Sequence, residues 1–341
     1  MSLPPSEIPQ GAIRFNTDSQ RLEFYAQGQW WIMSTDTPNL ATTNQPFPGA
    51  RGLTGGGYAP SAHSEIMFWN IASLSNGADF GDLTENKGYT AGCASRTRAV
   101  WGGGTAAPVS GAVDTLEFVT IASTGNGTTF GELVGVDRAH MGAAGSETRG
   151  IYAGGETPTR QDIIEFITIS STGNSVDFGD LPSIREAPAA LSSPTRTVMA
   201  SGFNPSASLI DIQFITTATK GNSHYFGDLP QVNGGMAAAG NATRGIFGGG
   251  SPGPNSIIDY LTIATQGNAV RFGDLTVGRR YAAAASSQTR YTCVGGLNPA
   301  SEDRMDYVEI ASEGNATDFS DLNNVNNPGT GSGCSNAHGG L

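Results

Sequence analysis

The stretch IDYLTIATQGNAVRFGDL, residues 258–275, decides how this chain folds. Two apolar runs flank Gly267-Asn268, a pair that tolerates positive φ and therefore suits a tight hairpin turn. Within it, Phe272 follows Tyr260 by 12 residues. The string FGDL recurs at 80–83, 178–181, 226–229 and 272–275, with near copies FGEL at 130–133 and FSDL at 319–322. Successive spacings are 50, 48, 48, 46 and 47 residues, which makes six copies of one structural unit. The preceding aromatic keeps its offset every time, as Phe68, Phe118, Phe166, Phe214, Tyr260 and Tyr307.

Each unit reads as four strands. The aromatic and the FGDL strand form a hairpin about SNGA, TGNG, TGNS, KGNS, QGNA or EGNA. A run of small residues follows, such as 236–239 or 281–285, and then a polar turn closing on Arg98, Arg149, Arg196, Arg244 or Arg290. A further strand ends in glycines, as at 102–104, 154–155, 248–250 and 295–296. Four antiparallel strands per repeat make one propeller blade, with the small residues on the crowded inner strands. Apolar side chains at Ile258, Tyr260, Leu261 and Ile263 break strict alternation, as expected of a strand with a neighbouring sheet on either face.

The chain is out of phase with the repeat. RGLTGGG at 51–57 matches the second strand of a unit and GTGSGCSN at 329–336 matches the first. The fold class is therefore all-β, a six-bladed β-propeller over 50–341 closed by pairing of N- and C-terminal strands, which removes sheet edges. Residues 35–49, rich in Thr, Pro and Asn, read as a linker. Before it, 1–34 holds a small β-meander whose aromatics, Phe15, Phe24, Tyr25, Trp30 and Trp31, are too many for so small a sheet to bury. They are the candidate anchoring and oligomerisation residues. Asp82, Asp180, Asp228 and Asp274 each precede the repeat Arg by 16 residues, and Glu132 precedes Arg149 by 17. The constant spacing predicts structural pairs between blades, Asp82 with Arg98 and so on to Asp274 with Arg290.

Composition narrows the function. A net charge of −12 argues against nucleic acid and against an anionic membrane surface. No apolar run reaches membrane-span length, and MSLPPSEIP has no basic or apolar leader, so synthesis in a cytoplasm without secretion is expected. Cys93, Cys293 and Cys334 sit among small residues and read as buried free thiols, and no zinc spacing is present. The acidic column Glu117, Glu165, Asp259 and Asp306 supplies one carboxylate per blade, too sparse for calcium. His63, His140, His224 and His338 share no repeat position, and no nucleophile elbow, metal-protease or P-loop motif occurs. The chain is expected to be non-enzymatic and without cofactor or metal. Trp69 and Trp101 read as blade packing, with sugar stacking as the alternative.

The blade length and terminal glycines resemble Kelch repeats over 50–341, although the Tyr and Trp expected after the glycines are missing. The repeat wording, clearest at 258–275, resembles propellers of phage structural proteins, notably of cyanophages. GAIRFNTDSQRLEFYAQGQWW at 11–31 resembles a short module of phage fibre and other virion proteins. These resemblances imply a virion component. Its partners would be other virion proteins through the N-terminal module, a host-surface glycan or protein receptor, and other copies of itself. A tail or neck appendage is the leading expectation. A capsid-decoration protein, a carbohydrate-active enzyme and an intracellular scaffold are the competing ones.

Overall fold

The structure, a computed structural model, describes residues 8–16, 21–32, 50–58, 61–73, 75–107, 111–322 and 333–341. The expected linker 35–49 lies outside them. Contacts divide the chain into two units, Met1–Phe47 and Pro48–Leu341. The described residues contain strands and no helix.

The first unit is a three-stranded antiparallel sheet of Ile13–Asn16, Arg21–Ala26 and Gln29–Ile32. Its second hairpin turns at Gln27 and Gly28, both at positive φ, as a two-residue turn with the twist of its strands requires. The register aligns Ile13 with Phe24 and Phe24 with Trp31, while Phe15 faces Leu22. All five are exposed, so one face is an apolar stripe. Tyr25 and Trp30 lie on the other face, edge to face at 5.3 Å, and the Arg14 guanidinium sits 4.2 Å above the Trp30 ring. The five expected anchor residues thus divide into three on the bare face and two within the sheet's own packing.

The second unit repeats one four-stranded antiparallel sheet, consistent with propeller blades. The strands, from the innermost, are Ala91–Ala94, Arg98–Gly102, Thr115–Thr120 and Thr128–Glu132 in one sheet. Gly142–Gly145 opens the next, which ends at Val176–Arg185. Ala189–Ser192, Ala237–Gly240 and Ala283–Ser286 open three more. The remaining sheet joins the two ends of this second unit. Gly333–Ser335 pairs with Arg51–Tyr58, aligning Cys334 with Leu53, and Ala62–Asn70 and Ala78–Gly88 follow. The innermost strands lie side by side in succession, and Ala283–Ser286 and Ala91–Ala94 both border Gly333–Ser335. Their small, buried residues permit that approach.

Between sheets the repeat residues interlock. Phe80 packs edge to face on Phe68, and the same pair recurs in every sheet down to Phe319 on Tyr307. Asn126 Oδ1 accepts the Asp82 backbone N–H, as Asn174, Asn222, Asn268 and Asn315 accept those of Glu132, Asp180, Asp228 and Asp274. A β-carbon at Gly227 would lie 2.2 Å from the Gly267 carbonyl oxygen of the next sheet, which explains the Gly of FGDL. At the junction where Ser320 replaces it, the facing turn carries Ser75 in place of Gly, and the Ser320 hydroxyl bonds Asn76.

The expected Asp–Arg pairs do not form among the described residues. Each repeat Arg stands over the aromatic of its own sheet, with Arg98, Arg149, Arg196, Arg244 and Arg290 at 4.5–4.8 Å from the rings of Phe118, Phe166, Phe214, Tyr260 and Tyr307. Each guanidinium donates to carbonyls of the following sheet: Arg98 to Ile169 and Ser170, Arg149 to Thr217, Arg196 to Ile263 and Ala264, Arg244 to Ile310 and Ala311, Arg290 to Ala72. Arg51 does the same with Ile121. The carboxylates turn elsewhere, Asp82 to Ser64, Asp228 to Tyr225 and Asp274 to Ser256 and Arg271. Carbonyls at a strand end need donors, and a guanidinium that also covers a ring supplies them.

Buried ion pairs use other residues. Lys87 meets Glu117 at 2.5 Å, Arg138 meets Glu165, Arg185 meets Asp211 at 2.9 Å and Arg279 meets Asp306. Glu117, Glu165 and Asp306 of the acidic column are therefore the acceptors for cations seven or eight residues beyond a repeat Phe of the preceding sheet, while Arg185, opposite the column position held by Gln213, turns to Asp211 instead. Asp259 is the exception. Asn233 stands where the cation would be and donates to the Gly249 carbonyl, and Pro230 has no N–H where Thr84, Val134 and Thr276 donate to their acids. Burial accordingly pushes the Asp259 carboxyl up to about 6, and its Oδ1 lacks a hydrogen-bond partner.

Candidate binding site

A four-stranded antiparallel sheet has two ends, and here they differ. One end carries the turns between first and second strands and between third and fourth. These repeat almost unchanged, with Ser95, Ser146, Ser193, Asn241 and Ser287 each accepting the backbone N–H of the repeat Arg. Residues 336–341 lie across this end. The His338 ring is 2.8 Å from the Ala94 carbonyl, and Gly339 donates to Gly240.

The opposite end carries the connections from second to third strand, which differ in every sheet: ETPTR at 156–160, FNPSASL at 203–209, SPGP at 251–254 and LNPASED at 297–303. Here too the chain enters five of the innermost strands, through Tyr89, His140, Ala187, Gly235 and Tyr281. All five have left-handed backbones, with φ of 58°, 55°, 50°, 60° and 54°. Their peptides form an arc of hydrogen bonds. His140 N–H donates to Tyr89 O, Ala187 to His140 O at 2.7 Å, Gly235 to Ala187 O and Tyr281 to Gly235 O at 2.8 Å. Glycine adopts this conformation freely, whereas other L-residues forgo about 1–2 kcal/mol each.

The arc rims a mouth opening into a cavity of about 100 Å³ floored by Met141, Pro188 and small residues. Tyr58 stacks on Tyr89 at 5.4 Å, the His140 ring lies 3.9 Å from that of Tyr89, and Tyr281 meets His140 edge-on at 6.1 Å. Beside them, Arg160 Nη2 donates to Glu186 Oε1 at 2.6 Å. A hydrogen bond with Glu186, aided by burial, pushes the Glu156 carboxyl up to about 7. Burial opposes ionisation of Glu186, but the bonds from Glu156 and Arg160 hold it below the usual range. Burial also lowers the His140 imidazole to about 4, so it is neutral at pH 7. The mouth thus offers flat rings, a protonatable carboxyl, a carboxylate and a neutral imidazole. Among titratable groups in a cleft, such displacement marks a candidate site.

Sequence reading placed none of these groups in a site. Tyr89, His140 and Tyr281 share a repeat position before the small-residue strand, and that register was the available signal. Trp69 and Trp101, each 1% exposed, are packing residues and cannot stack on a ligand. Cys93, Cys293 and Cys334 are buried and free, and burial pushes Cys93 up to about 12. Among the described residues no cluster of His, Cys, Asp and Glu has metal-ligand geometry. No protein-family model matches this chain, and no curated protein sequence matches it either.

Proposed function

We propose that this chain is a non-enzymatic phage virion protein, a six-bladed β-propeller joined to a small N-terminal anchoring sheet, which presents the mouth end of its blades to a host-surface ligand. The observation that carries the reading is the difference between the two ends: repeated turns and the C-terminal segment at one, sheet-specific connections and aromatic rings at the other. The pairing of Gly333–Ser335 with Arg51–Tyr58 supports a sixth blade made from both ends of the repeat region. The apolar face of Phe15, Phe24 and Trp31 fits attachment to other virion proteins or to further copies of the chain. The phage assignment itself rests on the likeness of 11–31 and of the repeats to virion proteins.

Cryo-EM of particles carrying this chain tests the reading. Six-bladed globes hanging from a tail or neck by residues near Phe24–Trp31, mouth end outward, would support it. Globes tiling the head lattice would favour decoration, and a mouth end packed against the particle would refute a binding role for it.

A further inference from the structure

We propose that the interface between the sheets opened by Ala189–Ser192 and Ala237–Gly240 binds one monovalent alkali cation, sodium or potassium, held by the Asp259 carboxylate and the carbonyl oxygens of Gly249 and Ile257. The proposal is independent of what the mouth end binds, and it departs from the expectation of a chain without metal.

The repeat shows what this position is built to hold. In two other sheets three oxygens converge on one guanidinium. Arg138 bonds Glu165 and donates through Nη1 to the carbonyls of Gly154 at 2.9 Å and Ile163 at 3.1 Å. Arg279 bonds Asp306 and donates through Nη1 to those of Gly295 at 3.4 Å and Arg304 at 2.8 Å. Gly154, Gly249 and Gly295 each stand five residues after a repeat Arg, and Ile163, Ile257 and Arg304 each stand two residues before the column acid. In all three sheets the glycine N–H donates to the carbonyl of that second residue, at 3.0, 2.8 and 3.0 Å. The same oxygens are therefore set around Asp259, where the chain supplies a neutral Asn233 in place of a cation.

Asn233 does not replace the charge. It is 1% exposed and donates to the Gly249 carbonyl at 2.8 Å, while its Oδ1 accepts the Gly234 N–H. Asp259 is 2% exposed, and its Oδ1 has no hydrogen-bond partner. Among the described residues the only charged group acting on this carboxylate is Arg271, opposite it on the neighbouring strand. The Arg271 guanidinium is bonded to Asp274 at 2.6 Å instead. Burial of a carboxylate without a compensating charge is costly. At pH 8 Asp259 is nonetheless ionised, because burial raises it only to about 6.

Charge and donor type select the ion. One carboxylate balances one positive charge. Calcium takes about six to eight oxygens and magnesium demands a near-ideal octahedron, so one carboxylate and two carbonyls suit neither. Oxygen donors without imidazole or thiolate also disfavour the softer transition metals. A sodium or potassium ion matches the charge, and water completes its shell.

The test is urea unfolding of the full chain at pH 8 in tetramethylammonium chloride, whose cation is too large for the site, exchanged stepwise for sodium or potassium chloride at constant total salt. At least one alkali salt should raise the midpoint saturably, because an ion that binds only the folded chain stabilises it by mass action. The folding equilibrium should gain about tenfold once the ion reaches roughly ten times its Kd. In tetramethylammonium chloride Asp259→Asn should be more stable than the parent, and alkali should narrow that gap. The alkali response should vanish in Asp259→Asn, and in the parent at pH 4.5, where Asp259 is protonated. Asn233→Arg, which copies Arg138 and Arg279, should raise the midpoint in tetramethylammonium chloride and no longer respond to alkali. An equal response in parent and Asp259→Asn, no saturation, or a full alkali response in Asn233→Arg would each overturn the proposal. Calcium chloride acting at lower concentration than either alkali salt, and only with Asp259 present, would reject a monovalent ion. Should Asn233→Arg not fold, Asp259→Asn decides alone, since it removes a buried charge and keeps the side-chain shape.

Discussion

Arg196 holds two sheets together without touching an acid, and replacing it by Met keeps the aliphatic stem while removing the guanidinium. In the native chain it donates to the Ile263 carbonyl at 2.9 Å and the Ala264 carbonyl at 2.8 Å, and its guanidinium lies 4.8 Å from the Phe214 ring centre. The part-buried bond to Ile263 is worth about 1.5 kcal/mol as a charge-assisted contact, and the exposed bond to Ala264 about 0.5 kcal/mol. The ring contact adds about 0.5–1 kcal/mol. Arg196→Met should therefore destabilise by about 3 kcal/mol, or roughly 6 °C in a domain of this size. Urea unfolding of the full chain, extrapolated linearly, measures it. Asp180, which lies 16 residues earlier and was the partner expected from spacing, is the control. Asp180→Asn should change stability by less than about 0.5 kcal/mol. If Asp180→Asn costs as much as Arg196→Met, and the double variant shows coupling above about 1 kcal/mol, the assignment of the repeat Arg is wrong.

Two further outcomes follow from single positions. Gly227→Ala pushes a β-carbon to 2.2 Å from the Gly267 carbonyl oxygen and should cost about 1–3 kcal/mol, whereas Ser320→Gly should cost far less in the same unfolding assay. Asp259 has a folded-state carboxyl raised from 3.8 to about 6, so its favourable contribution is complete below pH 3.8 and is lost as pH rises through about 6. At full burial that displacement corresponds to about 3 kcal/mol, and solvent reaching the site reduces it to about 1–2 kcal/mol. Asp259→Asn should stabilise the chain by this amount at pH 8 and by almost nothing at pH 3.5. Equal effects at both pH values would reject the isolated-carboxylate account.

The repeat was legible because its determinants are local. The Gly-Asn turns, the Phe of FGDL twelve residues beyond another aromatic, and the small-residue strands each follow from turn geometry, strand pairing or close packing. The matching of RGLTGGG with GCS also followed, because both retain their positions in the repeat. The acceptor of the repeat Arg was not legible. Asp82 and Arg98 keep their separation in sequence because every element of the repeat does, and a backbone carbonyl such as Ile169 leaves no residue-specific trace. The acidic column was visible, but its cations Lys87, Arg138 and Arg279 lie in the preceding unit and reach it only across the sheet interface. The mouth was hidden for a different reason. Left-handed backbone is announced by Gly or Asn, and at Tyr89, His140 and Tyr281 the chain adopts it without either.

The central claim is that the chain closes on itself through Gly333–Ser335, and hydrogen exchange measured by mass spectrometry tests it most directly. The amides of 333–335 should exchange as slowly as those of 51–54, and removing 333–341 should release protection in both Arg51–Tyr58 and the innermost strands Ala91–Ala94 and Ala283–Ser286. Exchange of 333–341 at the rate of an unstructured peptide in the intact chain, with 51–54 still protected, would contradict the closure.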